Sequence, residues 1–218
     1  MRTVENAEPI RFISFEGPDG SGKSTQIHRV QEWLNSRGVK SLLTYEPGDT
    51  DFGQIIRDLL LHGKFKLDKY TELFLYLADR REHILNIIKP ALSNGYFVLC
   101  DRYIDSTYAY QGFGHGISID LIDSISSYIL DGVIPSLTFF LDLPPTIGLS
   151  RLNGFDNIER EDILFHKRVS KGYQYLAEKY SDRIVTLSIN EYSTADAIFE
   201  KIISHISKTW PSILARQF

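Results

Sequence analysis

Eight residues near the amino end, Gly17-Pro18-Asp19-Gly20-Ser21-Gly22-Lys23-Ser24, have the spacing of a loop that wraps an anion. Its glycines let successive backbone N–H groups point inward, and a helix starting at its end adds partial positive charge. In such a loop Lys23 reaches the β- and γ-phosphates of ATP, while the Ser24 hydroxyl, followed by Thr25, can ligate Mg²⁺. A second pair, Asp101-Arg102, follows the apolar run YFVLC. The acid can serve a metal shell or an acceptor hydroxyl, and the guanidinium can clamp an acceptor phosphate through two hydrogen bonds. A GTPase would carry an Asn/Thr-Lys-x-Asp string to read its base. The nearest string here, Lys66-Leu67-Asp68, is preceded by Phe65. The chemistry indicated is ATP-dependent phosphoryl transfer to a small phosphorylated acceptor.

These residues need a frame, and hydrophobic periodicity predicts one. Residues 10–16 read as a strand, and 23–37 as a helix with Ile27, Val30 and Leu34 on one stripe, closed by Gly38. A strand over 39–45 follows, then a long helix over 71–92 with Leu73, Leu77, Ile84 and Ile88 aligned. Pro90 lies near its end, and Asn94-Gly95 stops it. Residues 96–100 form a continuous apolar run, as in a strand buried on both faces. A helix through Leu121, Ile122, Ile125, Tyr128 and Ile129 precedes strands over 137–143 and 183–189. A closing helix carries Ile198, Ile202 and Ile206. Strands alternating with helices predict one α/β domain over 10–218, built on a five-stranded parallel sheet with helices on both faces.

Composition narrows the partners. The 218 residues are 43% hydrophobic and 24% charged, and no apolar run approaches the roughly 18 residues of a membrane span. A net charge of −4 argues against a nucleic-acid surface. Residues 1–9 are polar and read as a flexible leader, not a signal or transit peptide. The single cysteine, Cys100, fits a reducing cytoplasm, and the six histidines lack zinc-site spacing.

The blocks FEGPDGSGKST, YEPGDT, LADR, DRYIDSTYAYQG and LDLPPTIGLSR, in this order and continuing through FHKRVSKGY, resemble the bacterial thymidylate kinases. These are phosphate-loop nucleoside monophosphate kinases, and the resemblance spans essentially the whole chain after the leader. It implies ATP and Mg²⁺ as cofactors, dTMP as acceptor, and dTDP as product. It implies that Tyr76 stacks on thymine and that Arg80, four residues on and on the same helical face, bonds the base edge. Asp19 would reach the sugar 3′-hydroxyl and help position Arg102, which would hold the acceptor phosphate. Asp101 would sit near Mg²⁺ through water. Ser106 and Thr107 would line the thymine edge, Tyr110 would crowd the sugar 2′ position, and Gln111 follows it. Glu46 would position either Mg²⁺ or the acceptor. The family also implies adenine contacts near residues 190–193, and a homodimer built on helix faces, with the long helix and residues 118–130 as candidates.

A lid is expected over about 151–161. Kinases exclude water during transfer, and the charge spread over the transferring group calls for a cation. The phosphate loop has Gly20-Ser21 at its middle and no arginine. By family logic Arg151 becomes the first choice for that cation and Arg160 the second. Three positions depart from the family blocks: Tyr45 and Asn157 stand where relatives carry arginine, and Asp49 where they carry glycine. Two other readings stay open, a related kinase with a different acceptor and a nucleotide-binding switch without transfer.

Overall fold

Strand formation follows where aromatic and branched residues concentrate. The computed structural model describes residues 8–64, 66–152, 154, 156–190 and 193–214. Five strands, β1 (Phe12–Glu16), β2 (Ser41–Tyr45), β3 (Phe97–Asp101), β4 (Leu137–Asp142) and β5 (Ile184–Ser188), form one sheet in the order β2-β3-β1-β4-β5. Every pairing is parallel, so all strands end at one edge. The register sets Phe15 beside Asp101 and Phe139, which brings the phosphate loop after β1 against the Asp101-Arg102 turn. The parallel five-stranded α/β architecture expected from periodicity is the one observed.

The sheet alternates its side chains between two cores. On one face Ile13, Phe15, Phe97, Leu99 and Leu141 pack against α1 (Lys23–Asn35) and α9 (Ala195–Thr209) through Ile27, Val30, Leu34, Ile202 and Ile206. On the other face Phe12, Val98, Cys100 and Phe140 meet α3 (Lys69–His83), α6 (Ile119–Leu130) and α8 (Ile163–Lys179). Two buried hydroxyls inside the sheet, Ser14 and Thr138, satisfy each other at 2.8 Å. Trp210 closes the first core edge-on to Phe97, and its indole N–H donates to the Pro9 carbonyl at 3.0 Å. That bond holds the end of the expected leader, whose residues 1–7 lie outside the described residues.

The long helix expected over 71–92 runs from Lys69 to Ser93, but not uniformly. α3 passes into a π turn at Ile84–Ile88 before α4 (Lys89–Ser93). Pro90 explains the change: it has no N–H for the carbonyl four residues earlier, and its ring crowds that oxygen, so a wider turn relieves the conflict. Four helices went unread in the sequence: α2 (Asp51–Arg57), α5 (Ile104–Thr107), α7 (Pro145–Ser150) and α8. No helix among the described residues is long and apolar enough to cross a membrane.

Candidate active site

The loop after β1 depends on backbone conformations that only glycine adopts freely. Gly17, Gly20 and Gly22 have φ of 135°, 73° and 92°. A Cβ on Gly17 would meet the Leu141 carbonyl oxygen at 2.5 Å, and one on Gly20 would meet that of Gly148 at 2.5 Å. The loop therefore packs against β4 and α7 with no room for a side chain at Gly17 or Gly20. Lys23 enters the loop from the first turn of α1 and donates from Nζ to the carbonyls of Gly17 and Pro18, both at 3.0 Å. Burial, reinforced by the like charge of Arg102, lowers its pKa below the ordinary value, while Asp19 and Asp101 act in the other direction. Ser24 donates to Asp101 Oδ2 at 3.2 Å, and Asp101 Oδ1 is buried with no hydrogen-bond partner. Two hard oxygen ligands at a loop for phosphates fit a cation that keeps waters and phosphate oxygens in its shell, as Mg²⁺ does. Thr25 lines the same cleft, and Ser21 is buried in the loop wall.

Across the loop stands Arg102, a non-glycine residue at φ 69°. Its Nη2 donates to Asp19 Oδ1 at 2.5 Å and its Nη1 to the Gly17 carbonyl at 2.9 Å. The guanidinium lies 5.3 Å from the centre of the Tyr110 ring, and the Tyr110 hydroxyl is 3.5 Å from Asp19 Oδ2. Burial works against the charge on Asp19, but Arg102 and Lys23 outweigh it and hold the carboxyl down at about 2.

A second cleft continues from Asp19 and Arg102, and Tyr76, Arg80, Ser106, Thr107, Tyr110 and Gln111 all line it, together with Glu46. The fold thus collects on one wall every acceptor residue implied by the family resemblance. Several are committed in ways the sequence did not reveal. Arg80 is 2% exposed and donates Nε to Glu46 Oε2 at 2.7 Å and Nη1 to Thr107 Oγ1 at 2.7 Å. Its Nη2 lies 2.7 Å from the same Glu46 oxygen, so two of its five N–H groups remain beyond these contacts. Glu46 Oε1 is 2.9 Å from His83 Nδ1. The carboxylate is therefore engaged through both oxygens by Arg80 and His83, as an anchor for the arginine would be. The Gln111 amide donates to Glu72 at 2.9 Å. The Ser106 hydroxyl is turned toward Glu16 at 2.6 Å.

Residues that periodicity and motif did not single out complete the wall. Arg57, at the end of α2, lines both clefts, donates to the Pro47 carbonyl at 2.7 Å, and sits 5.5 Å over the Tyr45 ring. Tyr45, the departure from the family arginine, is thus a platform for a different arginine. Leu61, Asp156 and Ile158 close the cleft opposite. Its free volume is about 110 Å³, small beside the several hundred Å³ usual for ligand pockets.

The two lid arginines go to different places. The close approach of Gly148 to Gly20 sets α7 on the phosphate loop, and Arg151 at its end donates to the Gly20 carbonyl at 3.0 Å. Arg160 is exposed and lines a separate basic cavity with Lys64, Lys66 and Lys69. Asn157 donates to the carbonyls of Leu60 and Gly63 at 3.1 and 3.0 Å, and its own N–H bonds Leu61 O. Asn153 and Phe155 of the expected lid lie outside the described residues. Of the expected adenine segment, Asn190 and Ser193 hydrogen-bond each other after β5, and residues 191–192 lie outside the described residues too.

Comparison with known proteins places this geometry in company. The thymidylate kinase family model matches residues 15–202. A thymidylate kinase of Geobacillus sp. (strain WCH70) is 41% identical over 202 residues, 90% of this chain and 95% of that protein. One from Synechococcus sp. (strain JA-2-3B'a(2-13)) is 45% identical over 177 residues, 81% and 85% of the two chains. The crystal structure of thymidylate kinase from Ehrlichia chaffeensis superposes with a TM-score of 0.74 at 36% identity, covering 90% of this chain and 97% of that one.

Proposed function

The chain belongs to the thymidylate kinase family, and on that premise we propose how its own residues phosphorylate dTMP to dTDP at the expense of ATP. One observation carries the assignment of roles: the phosphate loop and the acceptor cleft meet at Asp19 and Arg102, which line both. A phosphate held by Arg102 there faces the end of a triphosphate held by the loop. An oxygen of the acceptor phosphate attacks the γ-phosphorus in line, the bond to the β–γ bridging oxygen breaks, and ADP leaves. Positioning and charge neutralisation are the protein's contribution. Lys23 and the loop N–H groups hold the β- and γ-phosphates. Arg151, already at Gly20, supplies the cation that the loop lacks.

Ser24 and Asp101 would hold Mg²⁺, whose charge neutralises phosphate oxygens when bound. Tyr76 offers a ring to the base and Arg80 its remaining N–H groups to the base edge. Tyr110 crowds the sugar, and Asp19 accepts the 3′-hydroxyl. Glu46 acts through Arg80. The segment from Arg151 to Glu161 closes over the site. A homodimer and a cytoplasmic setting complete the reading.

The test is turnover with Mg-ATP against a panel of nucleoside monophosphates. dTMP gives the highest kcat/KM, with dUMP and the purine nucleotides well below it. A better acceptor than dTMP, or no dTDP at all, overturns the reading.

A further inference from the structure

Behind Arg102 lie two buried groups with no role so far, Glu16 at the end of β1 and Tyr173 on α8. Glu16 is fully buried, and Tyr173 is 1% exposed with its ring stacked on Phe140. Three oxygens form a triangle: Ser106 Oγ is 2.6 Å from Glu16 Oε2, Tyr173 Oη is 3.2 Å from the same atom, and the two hydroxyls are 2.8 Å apart. Arg102 Nη1 lies 3.3 Å from Ser106 Oγ and 3.2 Å from Tyr173 Oη.

One of the two Nη1 hydrogens goes to the Gly17 carbonyl and the other is shared between the two hydroxyls; a guanidinium only donates, so both hydroxyls accept from it and their own protons must go elsewhere. The triangle takes them. With Glu16 neutral, three protons serve three edges, each oxygen donating to the next around the ring. With Glu16 ionised, both hydroxyl protons are drawn toward the carboxylate. In either state the lone pairs of Ser106 and Tyr173 face Arg102. Burial, reinforced by the charge of Asp105, pushes Glu16 up to about 8, which favours the neutral form with its third proton. The other carboxyl oxygen, Oε1, accepts the Tyr103 N–H at 2.7 Å. It thereby also ties down the residue after Arg102, whose left-handed backbone is costly for a side chain with a Cβ.

We propose that Glu16 and Tyr173 are positioning residues of the acceptor site: with Ser106 they present two oxygen lone pairs to Arg102 and so aim its guanidinium at the acceptor phosphate. This rests on Arg102 holding that phosphate, as under the function proposed above. Glu16→Gln is the sharp test. The Tyr103 N–H keeps the amide oxygen at the Oε1 position, so the NH₂ falls on the triangle. Four protons then compete for three edges, and one must turn toward Arg102. Tyr173→Phe keeps the ring but removes one acceptor.

The experiment measures binding of dTMP and of thymidine, which lacks the phosphate, by calorimetry on the full chain, together with the steady-state KM for ATP. In both variants dTMP affinity falls about tenfold, as for loss of a hydrogen bond to a charged group. Thymidine affinity and the KM for ATP stay within about twofold in both variants. Equal losses for dTMP and thymidine, or no loss for either, overturn the proposal. If Glu16→Gln does not fold, Tyr173→Phe decides by the same ratio. A wild-type chain that binds thymidine as tightly as dTMP overturns the role of Arg102 itself, an outcome read before any variant is made.

Discussion

Arg151 and Asp79 show how differently two charged side chains can be set. Arg151 is exposed, yet its Nη1 reaches the Gly20 carbonyl at 3.0 Å, inside the segment where a γ-phosphate would lie. Removing a cation that meets the transition state costs turnover more than binding. Arg151→Ala is expected to lower kcat roughly 10²-fold or more with modest change in either KM. Steady-state kinetics with both substrates varied checks this, and a near wild-type kcat removes Arg151 from the catalytic set. Asp79 is buried, accepts the Gly48 N–H at 3.1 Å, and among the described residues forms no salt bridge. Burial, then repulsion from Glu46, raises its pKa from 3.8 to about 6, against the pull of His83 and Arg80. A carboxyl raised in the folded state holds its proton there while the unfolded chain has lost it, so stability falls as pH rises from about 4 to about 6. Asp79→Asn keeps an oxygen for Gly48 and removes the charge. It should stabilise the protein by on the order of 1–3 kcal/mol at pH 7, with the gain shrinking toward zero near pH 4. Denaturant melts at both pH values measure it; a gain independent of pH would point to packing instead.

At the level of elements, motif and periodicity reached different depths. The phosphate loop was legible to the residue because glycine spacing at a strand–helix junction has one physical use. The three inner strands were legible because strands buried on both faces are largely apolar runs, and the edge strands β2 and β5, only partly buried, by their short branched and aromatic stretches. α8 left a signal that went unused: Phe165, Val169, Gly172, Tyr173 and Leu176 are buried at spacings of four, three, one and three, one face of a helix. Glu16 and Arg57 left almost none. Glu16 reads as the polar end of a strand, and only the register beside β3 turns it toward Ser106. Arg57 becomes part of the site because α2 returns over Tyr45, a long-range fact no local window holds. Asn157 is the clearest case of a departure that acquires a use. Its amide bridges the lid to the π turn at Asp58–His62 through the Leu60 and Gly63 carbonyls. Asn157→Ala removes both bonds while leaving the chemical groups in place. It should raise the KM for dTMP severalfold and lower stability by about 1–2 kcal/mol. Kinetics and melts on the same preparation test this, and unchanged values for both would show that the lid closes without that anchor.

At the scale of the whole molecule, one surface is out of keeping with the rest. α3 packs between α2 and α6, and its outward stripe carries Tyr70 and Phe74, continued by Leu85 in the π turn, each more than 40% exposed. α6 adds Leu121 and Tyr128, with Tyr128 84% exposed, and α2 adds Phe52 and Ile55. Residues at 70, 74 and 85, and at 121 and 128, recur at helical spacing, so the apolar groups gather on adjoining ridges. Scattered exposed apolar residues need no explanation, but we propose that this set, on three helices that pack on one another, is the face of the homodimer. α3 also carries Tyr76 and Arg80 toward the acceptor cleft from its opposite side. A second copy bound here would therefore stiffen the base-reading wall without touching the substrate. Phe74→Glu places a charge at the middle of the stripe and should convert a dimer to a monomer by sedimentation velocity. Its fold should persist, since Phe74 is more than half exposed. Its KM for dTMP should rise more than its KM for ATP, because α3 serves the acceptor cleft and the phosphate loop lies on β1 and α1. A wild-type chain that sediments as a monomer at micromolar concentration would leave this face without that partner and the acceptor wall standing alone.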